Sequence, residues 1–396
     1  MQTTSYKTRT KSINVDRYFR VINFGARILG CRLLDPGPVS GRKMDVFLRL
    51  ITLSTMCFVL IPSLEATVEF ATDLQYLCEI ISNVLSFVES FYILINLYYY
   101  EDKYKNLIRK IRQEFWTEPL SPKLFPLFRG FERIFINISM FVAVVTLPGN
   151  IGYCTFPLWI HNFNMYADIN AKRRTPLIAK YHYDHRVSPN YEITYLCQTL
   201  GSSMAVIIFV LGTSIYAFIC MHFCAKLRLL QFKLNDIGAS TSTKEFTEII
   251  REHRYLIRFA KDVEDLYSPI LLLHILLSTL LICLTMFKIT SMTIQDGALE
   301  FTVSAVYFSA TFFQIFVFCW MANEVFVVSD SLALAAYNSH WYEAPICIRR
   351  GVFLIIMRAY RPIVLTAGKF FPVTLASFAS VCSTAVSYYT LLRSIQ

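Results

Sequence analysis

Residues 193–221, ITYLCQTLGSSMAVIIFVLGTSIYAFICM, contain no Asp, Glu, Lys or Arg. About 20 mostly apolar residues in a helix cross the hydrocarbon of a bilayer, so this run is long enough to span it. Residues 134–160 are equally free of charge. In lipid every backbone N–H and C=O must be paired within its own segment or in a closed barrel, and runs of this length do so as helices. Working outward from these two (spans 193–221 and 134–158), five more candidates follow: 46–64, 74–99, 266–287, 301–323 and 370–392. The chain as a whole agrees. Of 396 residues, 55% are hydrophobic and 17% charged, and the mean hydropathy is +0.45. Soluble domains carry roughly 25% charged residues. The expected fold is all-α with seven transmembrane helices.

Charge sets the orientation. Residues 1–43 hold nine Lys and Arg, 101–123 hold six and 226–265 hold eight. The loop at 65–73 holds none but has Glu65, Glu69 and Asp73, and 288–300 holds only Lys288. Alternate loops are basic, which predicts a cytoplasmic N-terminus and an outer C-terminus. Segment 161–190 disagrees: it carries Lys172, Arg173, Arg174, Lys180 and Arg186 on the side read as outer. The net charge of +10 flanks apolar spans rather than forming a face, so no nucleic-acid partner is expected; membrane lipid is. The first 43 residues lack the apolar core of a signal peptide.

The remaining stretches read simply. Pro62, Pro148 and Pro157 are placed to kink or end helices. In 226–265 eight bases alternate with seven acids at helical spacing, which predicts helices continuing past the membrane. The apolar segment 351–357 is too short to span and lies between Arg349, Arg350, Arg358 and Arg361, as in a helix lying on partners or on the membrane surface. The eleven cysteines have no C-x-x-C spacing. Room remains for one bridge among Cys78, Cys154 and Cys197 near the outer ends, but not for a disulfide framework or zinc site. The sequon Asn137-Ile138-Ser139 falls inside a span.

The last span carries the clearest chemical pattern. Ser377, Ser380, Thr384, Ser387, Leu391 and Ser394 recur at steps of three and four, one face of a helix. Such a stripe either packs tightly on another helix or lines a wet pore, in which Leu391 would be an apolar constriction. Candidate walls of an apolar ligand pocket are Val84, Phe87 and Val88 on the second span and Thr146, Gly149 and Tyr153 on the third. Met204 and Ile208 would come from the fourth, and Tyr307 and Thr311 from the sixth. Ordinary packing accounts for the same residues. Glu89 is read as sitting at a solvated inner helix end rather than on an ion path. His182, Asp184 and His185 read as a solvated loop face rather than a metal site. No metalloprotease, nucleophile-elbow, P-loop or dinucleotide motif is present, so neither an enzyme nor a cofactor is expected.

The C-terminal run Arg361-Pro362-Ile363-Val364-Leu365-Thr366-Ala367-Gly368-Lys369-Phe370-Phe371-Pro372-Val373-Thr374-Leu375, then Phe378 and Ser387-Tyr388-Tyr389-Thr390-Leu391-Leu392-Arg393, resembles the final segment of insect odorant receptors. Residues 253–287 with Ser268-Pro269 and Cys283, and Asn323-Glu324, Ala336-Tyr337-Asn338 and Trp341-Tyr342-Glu343, are similar to other parts of that family. The similarity covers about the last 150 residues; the first 240 agree in topology and length. The resemblance implies a subunit of a tetrameric, odorant-gated cation channel with a cytoplasmic N-terminus. It implies a shared co-receptor as partner in a heterotetramer, small volatile odorants as ligands, and the plasma membrane of an olfactory neuron dendrite as location. It puts the apolar gate on Leu391 with Ser394 and Ile395 beside it, the pore on Ser380, Thr384 and Ser387, and subunit contacts in 226–265 and 325–369. The expected organisation is then a cytoplasmic segment 1–43, spans one to four with the pocket at 44–225 and a cytoplasmic extension at 226–265. Spans five and six follow at 266–323, an anchor segment at 324–369, and the pore helix with an outer C-terminus at 370–396. The chain lacks the co-receptor's long insertion between helices four and five, which favours a tuning subunit. Its terminus, Ser394-Ile395-Gln396, departs from the ending of the sister gustatory receptors. A G-protein-coupled receptor would need the opposite orientation, and Asp16-Arg17-Tyr18 lies in the N-terminal tail. A transporter would show inverted repeats.

Overall fold

The computed structural model describes residues 16–33, 42–72, 74–115, 125–165, 174–291 and 298–395. The basic tail through Val15, Asp73, Lys172 and Arg173, Gln396 and the side chain of Ile395 lie outside the described residues. Ten α-helices are described: α1 (Asp16–Ile28), α2 (Arg42–Glu69), α3 (Leu74–Tyr99), α4 (Glu101–Arg109), α5 (Phe125–Met165), α6 (Asn190–Asn235), α7 (Thr243–Ser291), α8 (Ala298–Tyr337), α9 (Ile346–Ala359) and α10 (Leu375–Ile395). A two-stranded hairpin, β1 (Thr366–Ala367) and β2 (Phe371–Pro372), precedes α10. Seven helices, α2, α3, α5, α6, α7, α8 and α10, are long and apolar enough to cross a membrane. All seven expected spans fall on them.

Burial separates the spans into inner and outer ones. The most apolar stretches of α6 and α7 are each 67% buried, whereas those of α2, α5 and α10 are 17, 17 and 22% buried. The latter three therefore present apolar faces that the other described residues leave open, as faces turned to lipid or to another subunit are. Close approach of α2 to α6 depends on Gly201: a Cβ there would lie 2.8 Å from Val59 Cγ2 and 2.9 Å from the Thr55 carbonyl oxygen. Pro62, Pro148 and Pro157 lie within α2 and α5 and end neither helix.

Helices α6 and α7 run well beyond the lengths expected of spans, as the alternating charges at 226–265 suggested. Their extensions are tied together where Glu252 of α7 meets Lys226 at 2.9 Å and Lys233 at 2.8 Å on α6. Lys226 also donates to the Phe115 carbonyl oxygen at 3.0 Å. At the same end of the bundle Glu101 bonds Arg49 and Lys105, and these partners hold its carboxyl below the ordinary range although burial pushes it up.

Segment 161–190 finds counter-charges at the opposite end. Lys180 pairs with Glu69 at 3.2 Å and His182 approaches Glu65 at 3.3 Å. The loop that breaks the positive pattern thus lies against the acidic last turns of α2, which runs through Glu69 where the sequence suggested a loop, and Lys180 is neutralised there. Glu89 is corrected outright. It lies 4% exposed in the bundle, bonded to His274 Nδ1 of α7, not at a solvated helix end. A carboxylate within hydrocarbon needs such a partner. Cys78, Cys154 and Cys197 form no disulfide.

The hairpin decides where the last helix starts. Gly368 and Lys369 both adopt positive φ (62° and 67°) at its tip, and Gly368 supplies the freedom the turn needs. It is clipped onto α7: Gly368 N–H donates to the Ser268 carbonyl oxygen at 3.0 Å, Lys369 N–H to Ser268 Oγ at 2.8 Å, and Thr366 Oγ1 to Glu264 at 2.6 Å. Thr374 then caps α10, its Oγ1 accepting the Ser377 N–H at 3.3 Å. The helix therefore begins at Leu375, five residues after the expected start of the span, because the intervening residues are hairpin and cap.

Candidate functional site

A cavity of about 210 Å³ opens between α3, α5, α6, α7 and α8, near the end of the bundle where α3 begins and α7 ends. Each helix contributes one face, at steps of three and four. α3 presents Ser82, Asn83, Ser86, Phe87 and Ser90; α6 presents Ser202, Ala205, Val206 and Phe209. α5 brings Thr146, Gly149 and Tyr153, and α8 brings Tyr307, Thr311 and Gln314. Leu177, from the segment between α5 and α6, closes one side. Its N–H and C=O are both bonded to the Gln198 amide of α6, at 3.0 and 3.2 Å. That amide also donates to Tyr181, whose phenol burial pushes up to about 12, so it is a neutral hydroxyl near neutral pH.

The wall is apolar with polar groups locked into pairs. Asn83 Nδ2 donates to Tyr153 Oη at 3.2 Å, linking α3 to α5. Ser86 bonds the Tyr307 hydroxyl, linking α3 to α8, and Tyr307 also donates to the Ser82 carbonyl at 3.3 Å. Asn150 donates to Ser203 at 3.1 Å between α5 and α6. Thr146, Thr285 and Thr311 each return a hydroxyl to a carbonyl of their own helix. Two contacts bridge α3 to α7, the ion pair of Glu79 with Lys288 at 3.0 Å and the hydrogen bond between Glu89 and His274 Nδ1, and Glu79, Glu89 and Lys288 line the cavity.

Of the ten residues singled out from sequence, Phe87, Thr146, Gly149, Tyr153, Tyr307 and Thr311 lie on this wall. Val84 packs instead with Ala66 and Ile80, with Val88 against them. Ile208 is buried in the main core and Met204 packs on it. The helical register explains the split, since Val84 and Val88 lie off the α3 face that carries Ser82, Asn83 and Ser86. That polar face, at steps of one, three and four, is visible in the sequence, and it would have led to the Glu79, Ser82, Asn83, Ser86 and Ser90 wall directly. Lys288 and Gln314 stand out equally as polar residues in apolar surroundings. Leu177 gives no signal, because loop paths are not written in periodicity.

The outward stripe of α10 is a second feature. Ser380, Thr384, Ser387, Leu391 and Ser394 are exposed, Leu391 to 59%, while Val381, Ala385 and Tyr389 on the opposite face are buried. Ser377 is buried in the cap. The inner face of α10 rests on cavity-forming helices: Phe378 meets Phe312 and Phe316 of α8 at ring distances of 5.3 and 5.6 Å, and Tyr389 clusters with Cys283 and Phe287 of α7.

Comparison with known proteins agrees with this architecture. The family profile described as 7tm Odorant receptor matches residues 67–386. Odorant receptor 10 of Aedes albopictus is 30% identical over 215 residues, 52% of this chain and 56% of that one, so the match spans little more than half the relative's length. The odorant receptor coreceptor of Anopheles gambiae is 30% identical over 144 residues, 36% of this chain and 30% of the coreceptor. The solved structure of the olfactory receptor OR5 of Machilis hrabei superposes with a TM-score of 0.85 at 16% identity, covering 96% of this chain and 99% of that one. The same receptor in complex with eugenol gives 0.81 at 17% identity over the same shares. At these identities the likeness shows a shared fold.

Proposed function

We propose, from the premise that this chain belongs to the 7tm odorant receptor family, that it is the odorant-tuning subunit of a ligand-gated cation channel. It is a multi-pass membrane protein of a receptor family rather than an enzyme family. In this reading the N-terminus is cytoplasmic, the membrane is the plasma membrane and the partner is a co-receptor in a heterotetramer. The similarity to the Anopheles gambiae coreceptor supports an assembly of related subunits, and the eugenol complex of the Machilis hrabei receptor supports a small volatile ligand. The cavity holds that ligand, and the outward stripe of α10 lines the pore, with Leu391 as its constriction and Ser394 and Ile395 beside it.

One observation carries the reading: cavity and stripe share two helices. On α8, Thr311 lines the cavity while the next residue, Phe312, touches Phe378 of α10. On α7, Thr285 lines the cavity while Cys283 and Phe287 pack with Tyr389 of α10. A ligand that fits the cavity better in one arrangement of α7 and α8 shifts α10 with them, by no more than its differential affinity for the two states. Replacing Leu391 by Ser should wet the constriction. Expressed with a co-receptor, the Leu391→Ser channel is expected to carry current without ligand; a baseline equal to wild type counts against the gate.

A further inference from the structure

Among the described residues that line the cavity, one has a fully buried side-chain polar atom without a hydrogen-bond partner. Asn83, Ser86, Asn150, Thr146, Thr285, Thr311, Glu79 and Glu89 are each bonded inside the protein. Gln314 of α8 is different. Its side chain lines the cavity, is 3% exposed, and its Nε2 has no hydrogen-bond partner. One turn further along α8 is Phe318, on which the His274 ring rests at 4.4 Å while bonding Glu89, another cavity residue. Gln314 therefore stands one turn from the ring that carries His274, at the polar corner of the wall where Nε2 of His274 is also without a partner. A buried N–H without an acceptor is costly, and water trapped in so apolar a chamber has few partners of its own.

We propose that Gln314 selects ligands by hydrogen bonding: the cavity takes small volatile carbonyl compounds, whose oxygen accepts from Gln314 Nε2 while the carbon skeleton fills the apolar remainder. This rests on the cavity being the odorant site. A carbonyl oxygen is an acceptor only, so it suits a donor that needs nothing in return and does not compete with His274 for Glu89. A hydrocarbon of equal shape leaves Nε2 unmatched, and sites built to pair a polar group discriminate strongly against analogues that lack it.

The experiment uses pairs of ligands that differ at one atom: 2-hexanone, 2-heptanone, 2-octanone and acetophenone, each against the hydrocarbon in which a methylene replaces the oxygen. Concentration–response currents are recorded with a co-receptor for the native chain, Gln314→Met and Gly149→Trp, with surface labelling to confirm delivery. The native channel should respond to carbonyls at concentrations lower by on the order of tenfold or more, and Gln314→Met should abolish the difference. Equal potency within the pairs, no carbonyl response in the native channel, or a preference that survives Gln314→Met each overturns the inference. Gly149→Trp tests the underlying reading by itself. A Cβ built on Gly149 would already touch Val306 Cγ1 at 3.5 Å, so an indole there takes up the space of the chamber. Responses that survive it sink the cavity as the odorant site; responses lost there, with Gln314→Met neutral, sink the carbonyl selection alone. The native-channel comparison decides even if a variant fails to reach the surface.

Discussion

Helices α3 and α10 both carry a polar stripe at helical spacing through an apolar span, yet the two stripes have opposite surroundings. On α3, Asn83 is bonded to Tyr153, Ser86 to Tyr307, Glu79 to Lys288 and Glu89 to His274, so four polar groups are matched on three other helices. On α10, Ser380, Thr384, Ser387 and Ser394 turn outward and each returns its hydroxyl to a carbonyl of its own helix. The α3 stripe is consumed in holding this chain together. That of α10 is held in reserve for surroundings outside it. The difference teaches that spacing identifies a stripe, whereas the length and charge of its side chains indicate what meets it. Long or ionisable groups such as Asn, Glu and Lys reach across to a partner helix. Short hydroxyls can satisfy themselves and stay free to face water or another subunit.

The largest effect should come from the deepest pair. Replacing His274 by Leu leaves the Glu89 carboxylate buried with its bond removed, and breaking a buried pair from one side costs about 3–5 kcal/mol. The expected result is a severe loss of surface-delivered protein and a lower thermal midpoint in detergent. Replacing Glu89 by Leu in the same chain should restore much of it, since no buried polar group is then left without its partner. If the double variant is no more stable than His274→Leu, the α3 stripe does not act through this pair.

How far the sequence exposes this arrangement follows from the same physics. Seven spans are legible because about 20 apolar residues are needed whatever surrounds them. The α10 face is legible because its period is clean, and Val381, Ala385 and Tyr389 supply the complementary buried face. The start of α10 at Leu375 is not, because the hairpin that displaces it is clipped to Ser268 and Glu264 about a hundred residues earlier. The place of Glu89 is hidden for a related reason: its partner His274 lies 185 residues away, and an acid near a run of tyrosines looks like a helix end. Val84, Val88, Met204 and Ile208 look like wall residues by their apolar character, which core packing shares. The polar faces distinguish the two sides of a helix better.

A smaller effect is expected one turn from that pair. Tyr307→Phe removes the hydroxyl that bonds Ser86 and the Ser82 carbonyl while keeping the ring in place. Ser86 still has the Ser82 carbonyl within 3.0 Å, so nothing buried is left without an alternative. The loss should be about 1 kcal/mol, the usual net worth of one hydrogen bond. Thermal unfolding of the purified protein measures it. A loss as large as that for His274→Leu would mean that the α3–α8 junction, and not the Glu89–His274 pair, anchors the stripe.

The smallest effect on stability should be on α10, and here smallness is informative. Ser387→Ala deletes a hydroxyl whose acceptor, the Ser383 carbonyl at 3.0 Å, keeps its helical role. An outward side chain of this kind should cost less than about 0.5 kcal/mol. Ser387→Val, by contrast, separates the surroundings that the stripe could have. If the face meets water along a shared axis, a branched apolar side chain leaves assembly with the co-receptor intact and lowers the conducted current, because the lining becomes harder to wet. If the face is pressed against a neighbouring helix, the two extra carbons overpack that contact and assembly fails before conduction is reached. Co-purification of the two subunits, measured beside the current, tells these apart. Loss of assembly in Ser387→Val would place the α10 stripe in the same class as that of α3, a packing face, and the contrast between the two helices would disappear.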